Sequence, residues 1–155
     1  MRRVLVPAAA LFIGDTVATG EQSAISLHLG TATQVKLGAE TRLRIDRFVV
    51  NAGGVLVLES GGMVYDHDPK ADQGNVAVRV PFGLVAVRGT RFFAGPSNGV
   101  FGVFVERGEV MVVGVNTAVS VTSSFGSDLP NAGAEPTVPH QWNATRIASA
   151  FASVG

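Results

Sequence analysis

Three short segments, spaced eight residues apart, most constrain what this chain can fold into. They are Leu27-His28-Leu29-Gly30, Val35-Lys36-Leu37-Gly38 and Leu43-Arg44-Ile45-Asp46, and each alternates apolar and polar residues before a turn residue. Period-two alternation is typical of a β-strand with one buried face. Because the connections are short and polar, the segments form either a meander or successive rungs of a solenoid. The regular spacing favours rungs, since stacked units place like side chains over like.

The composition agrees with short strands and tight turns, and it excludes several classes of function. Hydrophobic residues make up 46%, charged residues only 15%, and there are 19 glycines. The formal net charge is zero, with 12 basic and 12 acidic residues, so no basic field attracts nucleic acid. The chain has no cysteine, which excludes disulfides, thiolate zinc sites and cysteine nucleophiles. Weak charge repulsion is compatible with a protein partner or with a homo-oligomer.

The chain divides into four segments, and its 155 residues suit one globular domain. We predict an N-terminal extension or remnant of an export signal over residues 1–10 and a β domain over 11–122. A linker rich in proline and glycine follows over 123–139, and a C-terminal helix over 140–155. The fold class is therefore all-β, a twisted β-solenoid-like or sandwich-like stack of short strands with one C-terminal α-helix. No apolar run reaches the roughly 18 residues that a membrane-spanning helix needs.

The two ends of the chain have distinct patterns. Arg2-Arg3 and the apolar stretch after it resemble a short signal peptide, but we favour a first strand over residues 11–17. Near the other end, four apolar residues recur close to helical spacing: Ile147, Ala148, Phe151 and Val154. This stripe predicts a helix that covers the open end of the β-core, because exposed strand edges need cover. Docking of a partner protein is the alternative use of the stripe.

The segment Val87-Arg88-Gly89-Thr90-Arg91-Phe92 lies between two hydrophobic runs and contains no nucleophile, carboxylate or histidine. Gly89 supplies backbone freedom, and the polar residues around it offer hydrogen-bonding groups. We therefore predict a tight turn between two strands at residues 87–92. A second connection, hairpin or rung, is predicted at Glu106-Arg107-Gly108-Glu109.

This segment, in its context, resembles the signature of the FecR-type domain. The similar segments are residues 11–20, 33–46, 80–81 with 85–92, and 103–112, which stand in the right order over a span, 11–112, of about two-thirds of the chain. The positions that match the family motif, which we expect to be mainly structural, are Gly14, Asp15, Thr19, Gly20, Arg88, Gly89, Thr90, Phe92 and Gly108.

The resemblance implies both a fold and a role. FecR-type domains are twisted, solenoid-like β domains, and the namesake regulators relay a signal from an outer-membrane transporter to a cytoplasmic sigma factor. We expect this chain to correspond to the FecR domain alone, without the anti-sigma, membrane and transporter-docking parts. The implied function is a non-catalytic envelope module, periplasmic or otherwise exported, that needs no cofactor. It would act by protein–protein interaction in signal relay or regulation.

Asp66-His67-Asp68-Pro69 is the one cluster of classical metal-ligand types in the sequence. We interpret residues 66–75 as an exposed loop that opens with an Asp-Pro turn, because neither other histidine has a recognisable ligand spacing. The prediction is therefore no metal site and no catalytic site. An enzyme built on residues 66–68 is the least favoured of three functional hypotheses.

Two surfaces are candidates for binding. Arg88 and Arg91 could form a partner surface, with strand addition at the edge formed by residues 90–93 and 99–105. The alternative function is a carbohydrate- or cell-wall-binding module, which needs exposed aromatic residues on a groove. Tyr65 and Trp142 are the main candidates for that role.

Overall fold

The computed structural model describes residues 14–29, 32–49, 53–68, 70, 75–131, 133 and 135–154. These residues are mostly β-structure with one short C-terminal helix, which confirms the predicted fold class. The elements are β1 Thr16–Ala18, β2 Ile25–Leu29, β3 Thr33–Leu37, β4 Arg42–Val49, β5 Gly53–Ser60, β6 Met63–His67, β7 Asn75–Val80, β8 Gly83–Ser97, β9 Val100–Val113, β10 Ala118–Thr122, β11 Phe125–Leu129, β12 His140–Gln141 and α1 Ala144–Ala152. The described helix is too short to cross a membrane.

The strands form one curled, open sheet. Its main path runs β1-β4-β5-β7-β8-β6-β3-β2, while β9 pairs with β8 and is followed by β10 and β11 on its other side. Among the described strands, all neighbours are antiparallel except β5 and β7, which are parallel. The first half of β8 pairs with β7 and its second half with β6, so this long strand belongs to both halves of the sheet.

The eight-residue units are strands with the predicted buried faces, but they do not stack as rungs. Their buried residues are Leu27, Leu29, Val35, Leu37, Leu43 and Ile45. β2 and β3 form an antiparallel hairpin, whereas β4 leaves them to lie between β1 and β5. The turn before β4 explains the departure: Glu40 has a φ of 51°, and the buried Thr41 hydroxyl donates to the Gly62 carbonyl at 3.2 Å.

Two hydrophobic clusters stabilise the fold. The larger lies between the two halves of the curled sheet, where strands of both halves contribute fully buried residues such as Leu56, Val85 and Val103. The second lies on the opposite face of the β6, β8 and β9 half, under α1. This is why Met63, Val64 and Tyr65 are buried in succession: one face of β6 meets the central core and the other meets the helix.

Two predicted boundaries need correction. The predicted connection at residues 106–109 lies inside one continuous strand, β9, because a local irregularity absorbs the extra residue there. The predicted linker at 123–139 contains β11, which pairs with β9. Its sequence, Phe-Gly-Ser-Asp-Leu, is too poor in apolar residues to be recognised as a strand.

The ends of the chain depart from the predicted boundaries too. β1 begins at Thr16, and residues 1–13 lie outside the described part, as does any export signal there. The helix is shorter than predicted, since His140–Gln141 is a strand and Asn143 is the N-cap. Its stripe packs on a face of the sheet rather than over an open end.

Candidate functional site

The segment at residues 87–92 is an irregularity inside β8, and the prediction of a turn there is wrong. The pairing of β8 with β9 shifts register between Arg88 and Arg91 and again between Arg91 and Phe92. Gly89, on β8, has a φ of 53°, and Gly108, on β9, has a φ of 91°. Both values lie in the left-handed region that favours glycine. The two glycines therefore let a pair of long strands bend together without breaking.

Thr90 stabilises this bend from the inside. Its side chain is fully buried, and its hydroxyl donates to the Glu109 carbonyl at 2.9 Å. The same oxygen accepts a hydrogen bond from the Glu109 amide at 3.3 Å. A Cβ on Gly108 would lie 2.8 Å from the Thr90 hydroxyl, so the space beside Thr90 admits only glycine. The side chain of Arg88 lies outside the described part.

The motif positions near the N-terminus join β1 to its neighbours. The Gly14 amide donates to the Ile45 carbonyl at 2.6 Å, and the Ile45 amide donates to Asp15 at 2.9 Å. The Thr19 hydroxyl donates to the Gly38 carbonyl, and the Gly20 carbonyl accepts from Glu40. These contacts hold β1 and the residues after it against β4 and against the turn at residues 38–41.

Asp66 and Arg91, predicted in separate contexts, belong to one charged cluster. Asp66 accepts from Arg91 and from Arg107, both at 2.9 Å, and Arg91 also donates to Glu106 at 2.6 Å. Partial burial by itself would raise the pKa of Asp66, but the hydrogen bonds and charges of Arg107 and Arg91 hold it below its usual value. We call Asp66, Arg91, Glu106 and Arg107 the charged cluster.

The side chains of residues 66–68, the metal-ligand types of the sequence, have partners within the fold. Asp66 and His67 belong to β6, so the exposed loop predicted over residues 66–75 does not begin there. The His67 side chain is buried and its Nδ1 lies 2.6 Å from the Thr33 hydroxyl. Asp68 is exposed and accepts from the Lys70 amide. Among the described residues, no three His, Asp or Glu side chains come together as a metal site.

A groove lies between α1 and the sheet, next to the charged cluster. It has a volume of about 470 Å³. Apolar side chains from β9 and α1 form most of its lining, and Arg91 and Glu106 stand on its polar side. We call it the helix groove; its lining residues are Arg91, Phe104, Glu106, Ser124, Ile147, Ala148 and Phe151.

Trp142 and Arg146 position the helix that forms one wall of this groove. The Trp142 ring packs against Gly102 and Gly126, where a side chain on either strand would collide with it. Arg146 lies over the Trp142 ring at 3.6 Å and donates to Asp128 at 2.7 Å and to Ser97 at 2.9 Å. Arg146, Gly102 and Gly126 are not singled out by the sequence, and Trp142 is predicted there for a different role, sugar binding. Glycines inside strands, which often mark the close approach of another group, were the available signal.

The segment Gly95-Pro96-Ser97-Asn98-Gly99 has the letters of a hydrolase nucleophile elbow but not its structure. It joins two strands, β8 and β9, rather than a strand and a helix. The Ser97 hydroxyl accepts a hydrogen bond from the Arg146 guanidinium at 2.9 Å, a partner that stays protonated and so cannot act as its general base.

Two other predicted surfaces do not exist as expected. Residues 90–93 and 99–105 are not a free edge, because Phe92 pairs with Tyr65 on one side and Val105 on the other, and β9 pairs with β11. The aromatic residues of the carbohydrate hypothesis are buried, Tyr65 completely and Trp142 with 6% of its surface exposed. Neither can stack on a sugar.

The geometry defines an all-β domain with a bent central hairpin and a helix on one face. The FecR protein family profile matches residues 15–111, and this chain belongs to that family. The match contains the bend and the charged cluster but ends before α1.

Solved structures agree with this fold. Two crystal structures, at 1.65 and 2.50 Å, of a candidate anti-sigma factor from Parabacteroides distasonis ATCC 8503 superpose with a TM-score of 0.72 at 17% identity. The alignment covers 87% of this chain and 63% of that protein, so this chain spans less than two-thirds of its length. No curated protein matches the sequence.

Proposed function

We propose that this protein is a non-catalytic FecR-type module of the bacterial envelope that binds another protein and so contributes to signal relay or regulation. The observation on which binding rests is the helix groove: an open, largely apolar cleft with one cation and one carboxylate on its polar side. Family membership and the likeness to a candidate anti-sigma factor support a regulatory role. A location in the periplasm, or export by another route, is part of this proposal.

The groove suits an apolar segment of a partner protein. Its volume of about 470 Å³ accommodates one or two large side chains against Phe104, Ile147 and Phe151. Arg91 and Glu106, which pair with each other at 2.6 Å, offer a donor and an acceptor beside that apolar floor. Glu106 has 52% of its side-chain surface exposed and can reach a partner without leaving the fold. Arg91, which the sequence predicts together with Arg88 as a partner surface, lines this groove.

Charge substitutions on α1 test the proposal. Ala148 is exposed and lines the groove, whereas the next residue, Ser149, is exposed and does not. Affinity-tagged wild-type protein and the Ser149→Arg variant should retain the same cross-linked partner in cells of the source organism. Ala148→Arg should lose it, because a buried charge opposes binding of an apolar segment.

Circular dichroism must show that both variants fold. Equal retention of the partner by the two variants would refute the assignment to the groove. Retention on purified wall polysaccharide, with no protein partner, would instead support the cell-wall alternative.

A further inference from the structure

A second, separate surface lies on the other half of the curled sheet. Two rows of side chains cross β5, β7, β8 and β9 in register, on the side opposite the central core. Each is partly or fully exposed, and Met111 has 44% of its surface accessible. We call these residues the outer apolar face; the rows are Val55, Ala77, Ala86 and Met111, and Val57, Arg79, Leu84 and Val113.

The molecule itself shows what covers a face of this kind. On the other half of the same two long strands, the row Val64, Phe93 and Phe104 also points away from the central core. There α1 covers it, with Ala150 and the aromatic ring of Phe151 packed on the sheet. No described element covers the outer apolar face. The outer side of the β8–β9 hairpin is therefore covered by a helix on one half of its length and uncovered on the other half.

We propose that the outer apolar face binds an amphipathic helix of a partner protein, with an acidic residue of that helix placed against Arg79. Four strands about 4.8 Å apart and two rows about 7 Å apart give a patch of roughly 20 by 15 Å, or about 300 Å². A helix is about 10 Å wide and rises 1.5 Å per residue, so about 13 residues would span the patch. The patch is smaller than the roughly 800 Å² that each copy of a stable dimer buries, so it suits a single short helix that binds transiently rather than a second copy of this chain.

Arg79 determines the charge of the occupant. It is exposed, lies in register between Val57 and Leu84, and makes no ion pair with a described residue. The other described arginines with a side-chain partner each contact a carboxylate: Arg42, Arg44, Arg91, Arg107 and Arg146. An apolar partner that covered Arg79 would desolvate its charge without compensation. A carboxylate on the partner helix removes that cost and fixes the register of binding.

This site is independent of the helix groove. The two surfaces lie on different halves of the β8–β9 hairpin, on either side of the bend at Gly89 and Gly108. A module with two such surfaces can hold two different segments at once, which a relay between proteins requires.

Photo-cross-linking tests the proposal in the full chain. Benzoylphenylalanine at Ala86, which is exposed at the centre of the face, should form an adduct with one partner protein in cells of the source organism. Mass spectrometry should place the cross-link in a segment with helical apolar periodicity and an acidic residue. Arg79→Glu should reduce the adduct at least about tenfold, because it places like charges together. Lys70→Glu, at an exposed cation after β6 and away from the face, is the matched control and should leave the adduct unchanged.

Other outcomes overturn the proposal. They are an adduct between two copies of the chain, an adduct with lipid, no adduct, or an adduct that Arg79→Glu leaves unchanged while the variant stays folded. Ala148→Arg in the groove should leave the Ala86 adduct intact, so a failure of the groove proposal and a failure of this one remain distinguishable.

Discussion

The Thr90 hydroxyl makes the two hydrogen bonds to Glu109 that the backbone of a neighbouring strand residue would otherwise make. It donates to the Glu109 carbonyl at 2.9 Å and accepts from the Glu109 amide at 3.3 Å, across the place where the two longest strands lose register. A β-bulge leaves backbone groups of the ladder without their usual partners. Here one buried side-chain oxygen, that of Thr90, satisfies both backbone groups of Glu109.

Thr90→Val should therefore destabilise the protein more than Thr90→Ser. Valine keeps the shape but leaves the partly buried amide and carbonyl of Glu109 without the hydroxyl, at a cost of about 2 kcal/mol. Serine keeps the hydroxyl and loses one methyl group, at a cost of about 1 kcal/mol. Urea denaturation measures both free energies of unfolding. A valine variant as stable as the wild type would show that the two hydrogen bonds contribute nothing.

Gly108→Ala should cost more than Gly99→Ala, although both residues have positive φ values of 91° and 81°. Backbone strain is common to the two variants and costs about 1 kcal/mol. Only at Gly108 would the new Cβ lie 2.8 Å from Thr90 and 2.9 Å from the Gly89 carbonyl; at Gly99 it would meet open space. We expect a loss of about 3 kcal/mol for Gly108→Ala, measured by the same denaturation. Equal losses would contradict the close contact across the bend.

Acid should weaken the charged cluster through Asp66. The pKa of Asp66 is lowered in the folded protein, so its stabilising contribution is complete above the ordinary pKa of about 3.9 and is lost as pH falls through the lower folded value. Asp66→Asn should reduce stability by about 1 kcal/mol at pH 7 and flatten its dependence on pH in this acidic range.

Thermal unfolding between pH 7 and pH 3 measures this effect. Asp46→Asn, at an exposed pair with Arg44, is the control and should change stability by a few tenths of a kcal/mol at most. An Asp66→Asn curve parallel to the wild type would exclude the linkage.

Tyr65, the single tyrosine of the chain, should ionise at a higher pH than an ordinary tyrosine side chain. Burial raises its pKa to about 12, although a hydrogen bond with Thr33 opposes part of that rise. The folded state therefore holds a proton that the unfolded state releases near pH 10, and stability should fall as pH rises from about 10 towards 12. Absorbance at 295 nm should show no tyrosinate at pH 10.5 in buffer but about three-quarters ionisation in denaturant. Early titration in buffer would mean that the Tyr65 ring is accessible.

Arg146→Ala should loosen α1. The Arg146 side chain is only 10% exposed, and its loss leaves Asp128 without its closest cation and removes the guanidinium that lies over the Trp142 ring. We expect a destabilisation of about 3 kcal/mol and a red shift of the fluorescence of Trp142, the single tryptophan. Arg42→Ala, at an exposed ion pair, should change neither the stability nor the fluorescence of Trp142. Unchanged emission from Arg146→Ala would show that the helix does not depend on this contact.

The sequence predicted what local pattern controls. Alternation identified the buried faces of β2, β3 and β4, and apolar spacing identified α1. It could not predict which strands pair, because Val35 next to Tyr65 or Val57 next to Arg79 is a long-range contact with no local signal. Glycine at position 89 was read as a turn, since the same backbone freedom serves a turn and a bulge.

The candidate site was predicted only in fragments. Asp66 and Arg91 were each singled out, but their contact joins residues 25 positions apart and depends on β6 pairing with β8. The groove wall from α1 could not be placed, because the two glycines that admit Trp142 lie in strands whose neighbours the sequence does not reveal. The family motif pointed to the region of the bend, whereas the helix groove and the outer apolar face became visible only in the three-dimensional structure.

The shared hairpin also sets the order in which this chain can mature. β8 begins only at Gly83, yet both β6 and β7 pair with it, and β9 follows as far as Val113. While the chain is being synthesised, the apolar faces of the earlier strands therefore stay exposed to solvent until more than 100 residues have emerged. Contacts between residues so far apart in sequence form slowly, so the chain is most prone to aggregation before its last third has been synthesised.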